Sequence, residues 1–409
     1  MTPALAPDPG PARFLDRATP PHIATLILAS GLTALSTSVF LPSLAAMAEH
    51  FGVSYGVMQL AVSGYLAATA VLQLAVGAVA DSVGRRPVMI GALLVFALAS
   101  VGALVAPTAG IFLLMRVLQA SAATGLVLAR AVIRDTVGRD EAASRIGYVT
   151  MGMALIPMVG PMLGGALDQA FGWRASFVLL LLAGLLVLAL VVLDQGETLR
   201  GEGEGFGTQV RRYPALLGSR AFWGYAGCAA FASGAFFALL GGASFVAGDV
   251  FGLSPLWTGV ALGAPAVGYA AGNFLAGRFS AGVGLDRMAA AGCAVATLGL
   301  LASLLLTLLG LGSAWTVFGF CAVLGLGNGL TLPNAVAGSI SVRPDLAGSA
   351  SGLSGAIMTA GGAALAVLAA AALSVDTGPW PLQAIMAGSS ALSGASLLLV
   401  RGRRTAFRP

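Results

Sequence analysis

The chain has 409 residues, of which 58% are hydrophobic and 9% charged, with a mean hydropathy of +0.93. That leaves too little polar surface to cover a water-soluble globule, so a soluble fold is excluded and an integral, all-α membrane protein is expected. The formal net charge is +5 and the pI about 9.6; in so apolar a chain this excess reports topology and contact with anionic lipid head groups, not nucleic-acid binding.

Residues 1–21 hold six prolines and no apolar core. They fit neither a cleaved signal peptide nor a helix, so they are expected to form a disordered cytoplasmic tail, with the first span retained as an anchor. A span needs about 20 apolar residues to cross roughly 30 Å of hydrocarbon. Twelve such segments follow, at 22–47, 55–80, 88–106, 109–133, 146–167, 173–193, 221–247, 256–280, 288–309, 312–336, 346–373 and 379–400. The polar stretch 194–220, with Gly201-Glu202-Gly203-Glu204-Gly205, reads as a cytoplasmic linker between two six-helix halves, 22–193 and 221–400, and 401–409 as a basic cytoplasmic tail.

All 21 basic residues are arginines. If the N-terminus is cytoplasmic, nineteen fall inside, Arg174 alone outside and Arg116 within a span. Such a bias puts both termini in the cytoplasm, which requires an even number of spans. Cys228, Cys293 and Cys321 lie inside spans without metal-ligand spacing and read as small buried hydrophobes; no disulfide or metal is implied.

The halves repeat at an offset of 200. Glu49, Phe51, Gly52 and Ser54 recur as Asp249, Phe251, Gly252 and Ser254, and Gln73, Gly77 and Gly84 as Asn273, Gly277 and Gly284. Glycine coincidences mean little in a chain with 57 glycines, but acid, aromatic and amide matches at one offset indicate duplication, a known transporter architecture. Both copies begin a helix after a Gly-x-Ser turn and end it in a Gly-rich turn.

Three constellations carry chemistry. In the turn from Gly77 to Pro87, Asp81 can accept charge-assisted hydrogen bonds from Arg85, Arg86 or backbone N–H groups, which would hold the inner side closed; the plainer alternative is a solvated turn whose charges fix topology. Arg116 is the one charge placed at depth, where an isolated guanidinium costs at least about 2.5–3.5 kcal/mol. Gln119 shares its face one turn on. In the fifth span, Gly160-Pro161 and Gly164-Gly165 put a kink and small residues on one face, allowing close helix contact.

These residues resemble the major facilitator superfamily. The loop Gly77–Pro87 is similar to that family's signature between helices 2 and 3. The run Gly152-Met153-Ala154-Leu155-Ile156-Pro157-Met158-Val159-Gly160-Pro161-Met162-Leu163-Gly164-Gly165 resembles the motif of drug:proton antiporters. With Arg116-Val117-Leu118-Gln119, Leu41-Pro42 and Arg134-Asp135, the first half resembles the Bcr/CflA branch, which exports chloramphenicol-type and other small drugs; the second half agrees in span count and repeat pattern. The resemblance implies the major facilitator fold, twelve helices in two pseudo-symmetric halves, in a bacterial cytoplasmic membrane. It implies a gate at Gly77, Asp81, Gly84, Arg85 and Arg86, and an antiporter motif at Gly152, Pro157, Gly160, Pro161, Gly164 and Gly165 that limits leak. A proton or substrate pathway is expected at Arg116, Gln119, Ser38 and Thr37. Helices 1, 4, 7 and 10 surround the cavity in this family, which adds Phe231, Phe236, Phe237, Asn328, Thr331 and Asn334 as lining candidates.

One departure stands out. The branch carries an acid in helix 1 just before Leu-Pro, but here the stretch reads Ser36-Thr37-Ser38-Val39-Phe40-Leu41-Pro42, and serine cannot cycle a proton in this pH range. All sixteen acids fall in loops or near helix ends. The expected function is export of small amphipathic drugs in exchange for protons by a monomer without cofactor. An organic-anion exchanger centred on Arg116 and a non-transporting receptor or scaffold are the alternatives. No nucleophile–base or metal constellation supports an enzyme.

Overall fold

The computed structural model describes residues 12–136, 149, 156, 159–199, 213–343 and 346–400, without the side chains of 134, 347 and 348. Eleven helices among them are long and apolar enough to cross a membrane. In chain order they are α1 (Ile23–Phe51), α2 (Tyr55–Val83), α3 (Arg85–Leu104), α4 (Ala109–Ile133), α6 (Arg174–Asp194), α7 (Arg220–Val250), α8 (Pro255–Val283), α9 (Leu285–Leu311), α10 (Ala314–Ser341), α11 (Ser349–Ala372) and α12 (Trp380–Leu399). The described part of α5 is 159–171, so the twelve expected spans each have a helical counterpart. Gly152, Pro157, the stretch 200–212 and both tail ends lie outside the described residues.

Local chemistry sets the helix ends. Ser54, Thr108 and Ser219 cap α2, α4 and α7 by accepting the backbone N–H three residues on, at 3.4, 3.4 and 3.3 Å, each satisfying an otherwise orphaned donor. Ser313 and Thr316 form a capping box at the start of α10. In α1 the helix tightens into a 3₁₀ turn at Leu41–Ser43, where Pro42 has no N–H to donate.

The 200-residue repeat holds in backbone geometry. Ser54 and Ser254 have φ/ψ of −67°/154° and −65°/160°. Gly84 and Gly284 share φ/ψ of 108°/150° and 92°/147°, and Gly52 and Gly252 share φ of 63° and 66°.

Besides their contact along α2 and α11, the two halves touch on the side away from the described chain ends, hereafter the far side. There the Tyr55 hydroxyl donates to the Gly241 carbonyl at 3.2 Å and the Ser244 hydroxyl to the Leu41 carbonyl. Nearer mid-depth, the Gln73 amide on α2 donates to Thr359 on α11 at 3.3 Å.

One expectation is corrected. Residues 12–21, read from their prolines as part of a disordered tail, lead into a docked strap, because the Asp194 carboxylate accepts from Leu15 N at 2.7 Å, His22 N at 2.8 Å and Thr25 Oγ1 at 2.7 Å. Three donors and full burial make Asp194 the fixed point of this strap.

Candidate functional site

The turn after α2 is tied down from three directions. Arg85 pairs with Asp81 one helical turn back, its Nε donates to Asp135 at the end of α4 at 3.1 Å, and its Nη1 reaches the Gly77 carbonyl at 3.5 Å. Arg86 donates to the Gln195 and Val192 carbonyls at the end of α6, at 2.8 and 3.3 Å, where the negative end of a helix dipole favours a cation. These partners lie in the first half or, for Gln195, just past its last helix, so in this conformation the turn fastens α2, α3, α4 and α6 together.

Glu197, just past α6, completes the turn. Its carboxylate accepts from the backbone N–H groups of Arg85 at 2.9 Å and Arg86 at 3.1 Å, the first two residues of α3. It also accepts from Thr198 and Leu199, both at 3.0 Å. This is an anion on a helix N-terminus, supplied from more than a hundred residues away. Burial pushes the Glu197 carboxyl up, but the four N–H donors outweigh it and hold it below its ordinary 4.5. Gly84 makes the approach possible: its φ is 108°, and a Cβ there would lie 2.6 Å from Glu197 Oε2.

Arg116 is fully buried, contacted from α1, α2, α6 and its own helix α4. Its Nε donates to Ala61 O at 3.3 Å, Nη2 to Ser36 O at 2.9 Å, and Nη1 to Ser36 Oγ at 3.2 Å and to Gln119 Oε1. Phe40, Tyr65 and Phe177 present ring faces 4.3, 4.8 and 5.8 Å from its guanidinium carbon. Gln119 passes the chain to Ser100 at 2.7 Å, and Ser100 to Phe96 O at 2.8 Å. Hydrogen bonds to a charged group contribute about 1.5–3 kcal/mol each, so four of them exceed the insertion cost of about 2.5–3.5 kcal/mol. Oxygen dipoles and π-faces, not a carboxylate, hold this charge.

The pathway candidates separate. Arg116 and Gln119 are bonded to each other, and Ser36 is the helix-1 residue that hydrogen-bonds Arg116. Ser38 instead donates to Ala34 O, and Thr37 to Thr33 O, both at 2.9 Å.

The described part of the antiporter motif lies in the far-side seam. A Cβ on Gly160 would lie 2.5 Å from Ser38 Oγ, one on Gly164 would collide with Val39 O, and one on Gly165 with Pro255 O. Reciprocally, a Cβ on Gly259 of α8 would collide with Pro161 O. Thus α5 is wedged against α1 and α8 at backbone contact, which small residues alone permit.

In the second half, Asn328 donates to Ala232 O of α7 at 3.0 Å, Thr331 to Ala289 O of α9 at 3.2 Å, and Asn334 to Leu330 O within α10 at 2.7 Å. All three are buried; Asn328 and Thr331 join neighbouring helices, whereas Asn334 bonds back into its own. Phe231, Phe236 and Phe237 are half-buried, and a Cβ on Gly362 of α11 would collide with the Phe237 ring.

Sequence reasoning missed Asp194 and Glu197 as contact points. The signal was present but faint: two acids within four residues at the end of a span, opposite an arginine pair.

Known proteins agree with this architecture. The Major Facilitator Superfamily profile matches residues 26–367. Multidrug resistance protein D of Escherichia coli (strain K12) is 27% identical over 84% of this chain and 87% of its own length. The bicyclomycin resistance protein homolog of Haemophilus influenzae is 29% identical over 87% of this chain and 90% of its own. An uncharacterized MFS-type transporter of Bacillus subtilis is 32% identical, but that match spans only 62% of its length. A solved bacterial homolog of the human lysosomal transporter Spinster, inward-facing and occupied, superposes with a TM-score of 0.69 over 94% of this chain and 96% of that one, at 17% identity; it speaks for the fold alone. The chain therefore belongs to the Major Facilitator Superfamily, among membrane-embedded transporters of small molecules and not enzymes.

Proposed function

We propose that this transporter exports small amphipathic drugs, of amphenicol or multidrug type, in exchange for protons, by alternating access across the bacterial cytoplasmic membrane with both termini inside. Relatives named for multidrug and bicyclomycin resistance span more than four-fifths of the chain, and the far-side seam of α1, α5 and α8 suits a conformation closed to the outside. The two halves, 22–193 and 221–400, would move against each other around the cavity, with the Asp81–Arg85–Arg86 turn as the inner gate.

The observation that carries the drug reading over an organic-anion exchanger is the state of Arg116. Its guanidinium has five N–H donors, and the bonds to Ala61, Ser36 and Gln119 engage all three of its nitrogens. An anionic substrate would have to displace these bonds and enter an enclosed site. Arg116 and Gln119 instead suit a fixed polar brace between helices bordering the pathway. The gate turn and the sealed far side weigh against a non-transporting scaffold. A growth assay tests the reading: in a host stripped of its own exporters, expression is expected to raise tolerance to amphenicols or bicyclomycin-type drugs, whereas unchanged tolerance across a broad drug panel contradicts it.

A further inference from the structure

Cys228 on α7 and Cys293 on α9 lie 65 residues apart in sequence, yet their Sγ atoms are 3.9 Å apart in the core of the second half. The Ser393 hydroxyl of α12 lies between them, 3.4 Å from Cys228 Sγ and 3.2 Å from Cys293 Sγ, and Thr331 Oγ1 of α10 is 3.7 Å from Cys293 Sγ. The direction of the hydroxyl protons matters. Ser393 donates to Cys228 O at 2.7 Å and Thr331 to Ala289 O at 3.2 Å, so both oxygens turn only lone pairs towards the sulfurs. Two thiols and the Ser393 oxygen, contributed by three helices, thus meet at one buried place, with the Thr331 oxygen of a fourth helix beside Cys293.

We propose that these residues bind one thiophilic divalent d10 cation of the zinc, cadmium or mercury class, with Cys228 and Cys293 as thiolate ligands and the Ser393 and Thr331 oxygens completing the shell. With metal–sulfur bonds of about 2.3 Å, the 3.9 Å between sulfurs corresponds to an S–metal–S angle of roughly 115°. That is between trigonal and tetrahedral and needs little movement. Two S–H bonds break, two metal–sulfur bonds form and two protons leave, with no change of oxidation state. Charge selects the valence: a divalent ion with two thiolates is neutral, whereas a monovalent ion would leave a net negative charge in the membrane interior. The Asp286 carboxylate of α9 stands apart: it accepts from the Tyr225 hydroxyl and lies seven residues before Cys293, about 10 Å along the helix. Cys321 makes an internal control, for its Sγ is bonded at 3.3 Å to Val317 O of its own helix.

The test is cadmium titration of the purified full chain in detergent, followed by native mass spectrometry and by near-ultraviolet sulfur-to-cadmium absorption. One ion per chain is expected in wild type and in Cys321→Ser, and none in Cys228→Ser or Cys293→Ser. Ser393→Ala is expected to weaken binding about tenfold. If a cysteine variant does not fold, proton release from wild type decides: two protons per bound cadmium support the site. Fewer than two, or undiminished binding in a folded Cys228→Ser protein, overturns it.

Discussion

Replacing Arg116 by lysine keeps the charge and removes the fork. The guanidinium serves α1 twice through Ser36, α2 through Ala61 O and its own helix through Gln119. A lysine ammonium is a point donor on a flexible stem; placed to keep Ser36 Oγ and Gln119, it leaves Ala61 O and Ser36 O without a charged donor. Two such bonds amount to about 3–6 kcal/mol gross. Movement of the ammonium towards one of the carbonyls reduces the net loss to about 2–4 kcal/mol. At about 2–4 °C per kcal/mol for a unit near 200 residues, melting should fall by roughly 5–15 °C. The assay is thermal unfolding in detergent by intrinsic tryptophan fluorescence. A shift below about 2 °C would show that the fork is not what stabilises the first half, and the brace argument would fail with it.

Other variants test the remaining contacts. Asp81→Asn removes the ion pair with Arg85 and is expected to lower transport at least about tenfold at normal membrane insertion; normal drug efflux from vesicles would refute the gate role. Asp194→Asn weakens the clamp on Leu15, His22 and Thr25 by about 2 kcal/mol, so tryptic cleavage after Arg17 should accelerate about thirtyfold; an unchanged rate would mean the strap is held elsewhere. Glu197 titrates below its ordinary 4.5 when folded, so its contribution is fully present above pH 4.5 and is lost as pH falls through the lower folded value. Wild-type stability should therefore drop more steeply below pH 4.5 than that of Glu197→Gln. Parallel curves would remove Glu197 as the source.

Much of the fold was legible because its signals are local. Span lengths, cap residues and the 200-residue offset each depend on a few neighbouring residues, and Gly84 and Gly284 kept the same backbone turn. Arg116 and Gln119 were legible as a pair because one helical turn joins them. What held Arg116 was not, since its partners include backbone carbonyls, which every residue possesses and no side-chain pattern marks. Glu197 and Asp194 looked like ordinary helix-end acids because two of the four donors to Glu197 lie 111–112 residues away and the three donors to Asp194 lie 169–179 away. The same distance in sequence hid the meeting of Cys228 with Cys293. Asn328 and Thr331 were placed on the right helix, but their partners on α7 and α9 come from tertiary packing that spacing alone does not encode.

The central claim is coupled export, and proteoliposomes test it most directly. The purified chain, reconstituted with an imposed pH gradient, should drive accumulation of a neutral amphenicol in the direction opposite to proton flow, and collapse of the gradient should stop it. Accumulation that ignores the gradient and requires a counter-anion on the opposite side would contradict the account and return Arg116 to the role of an anion-binding residue.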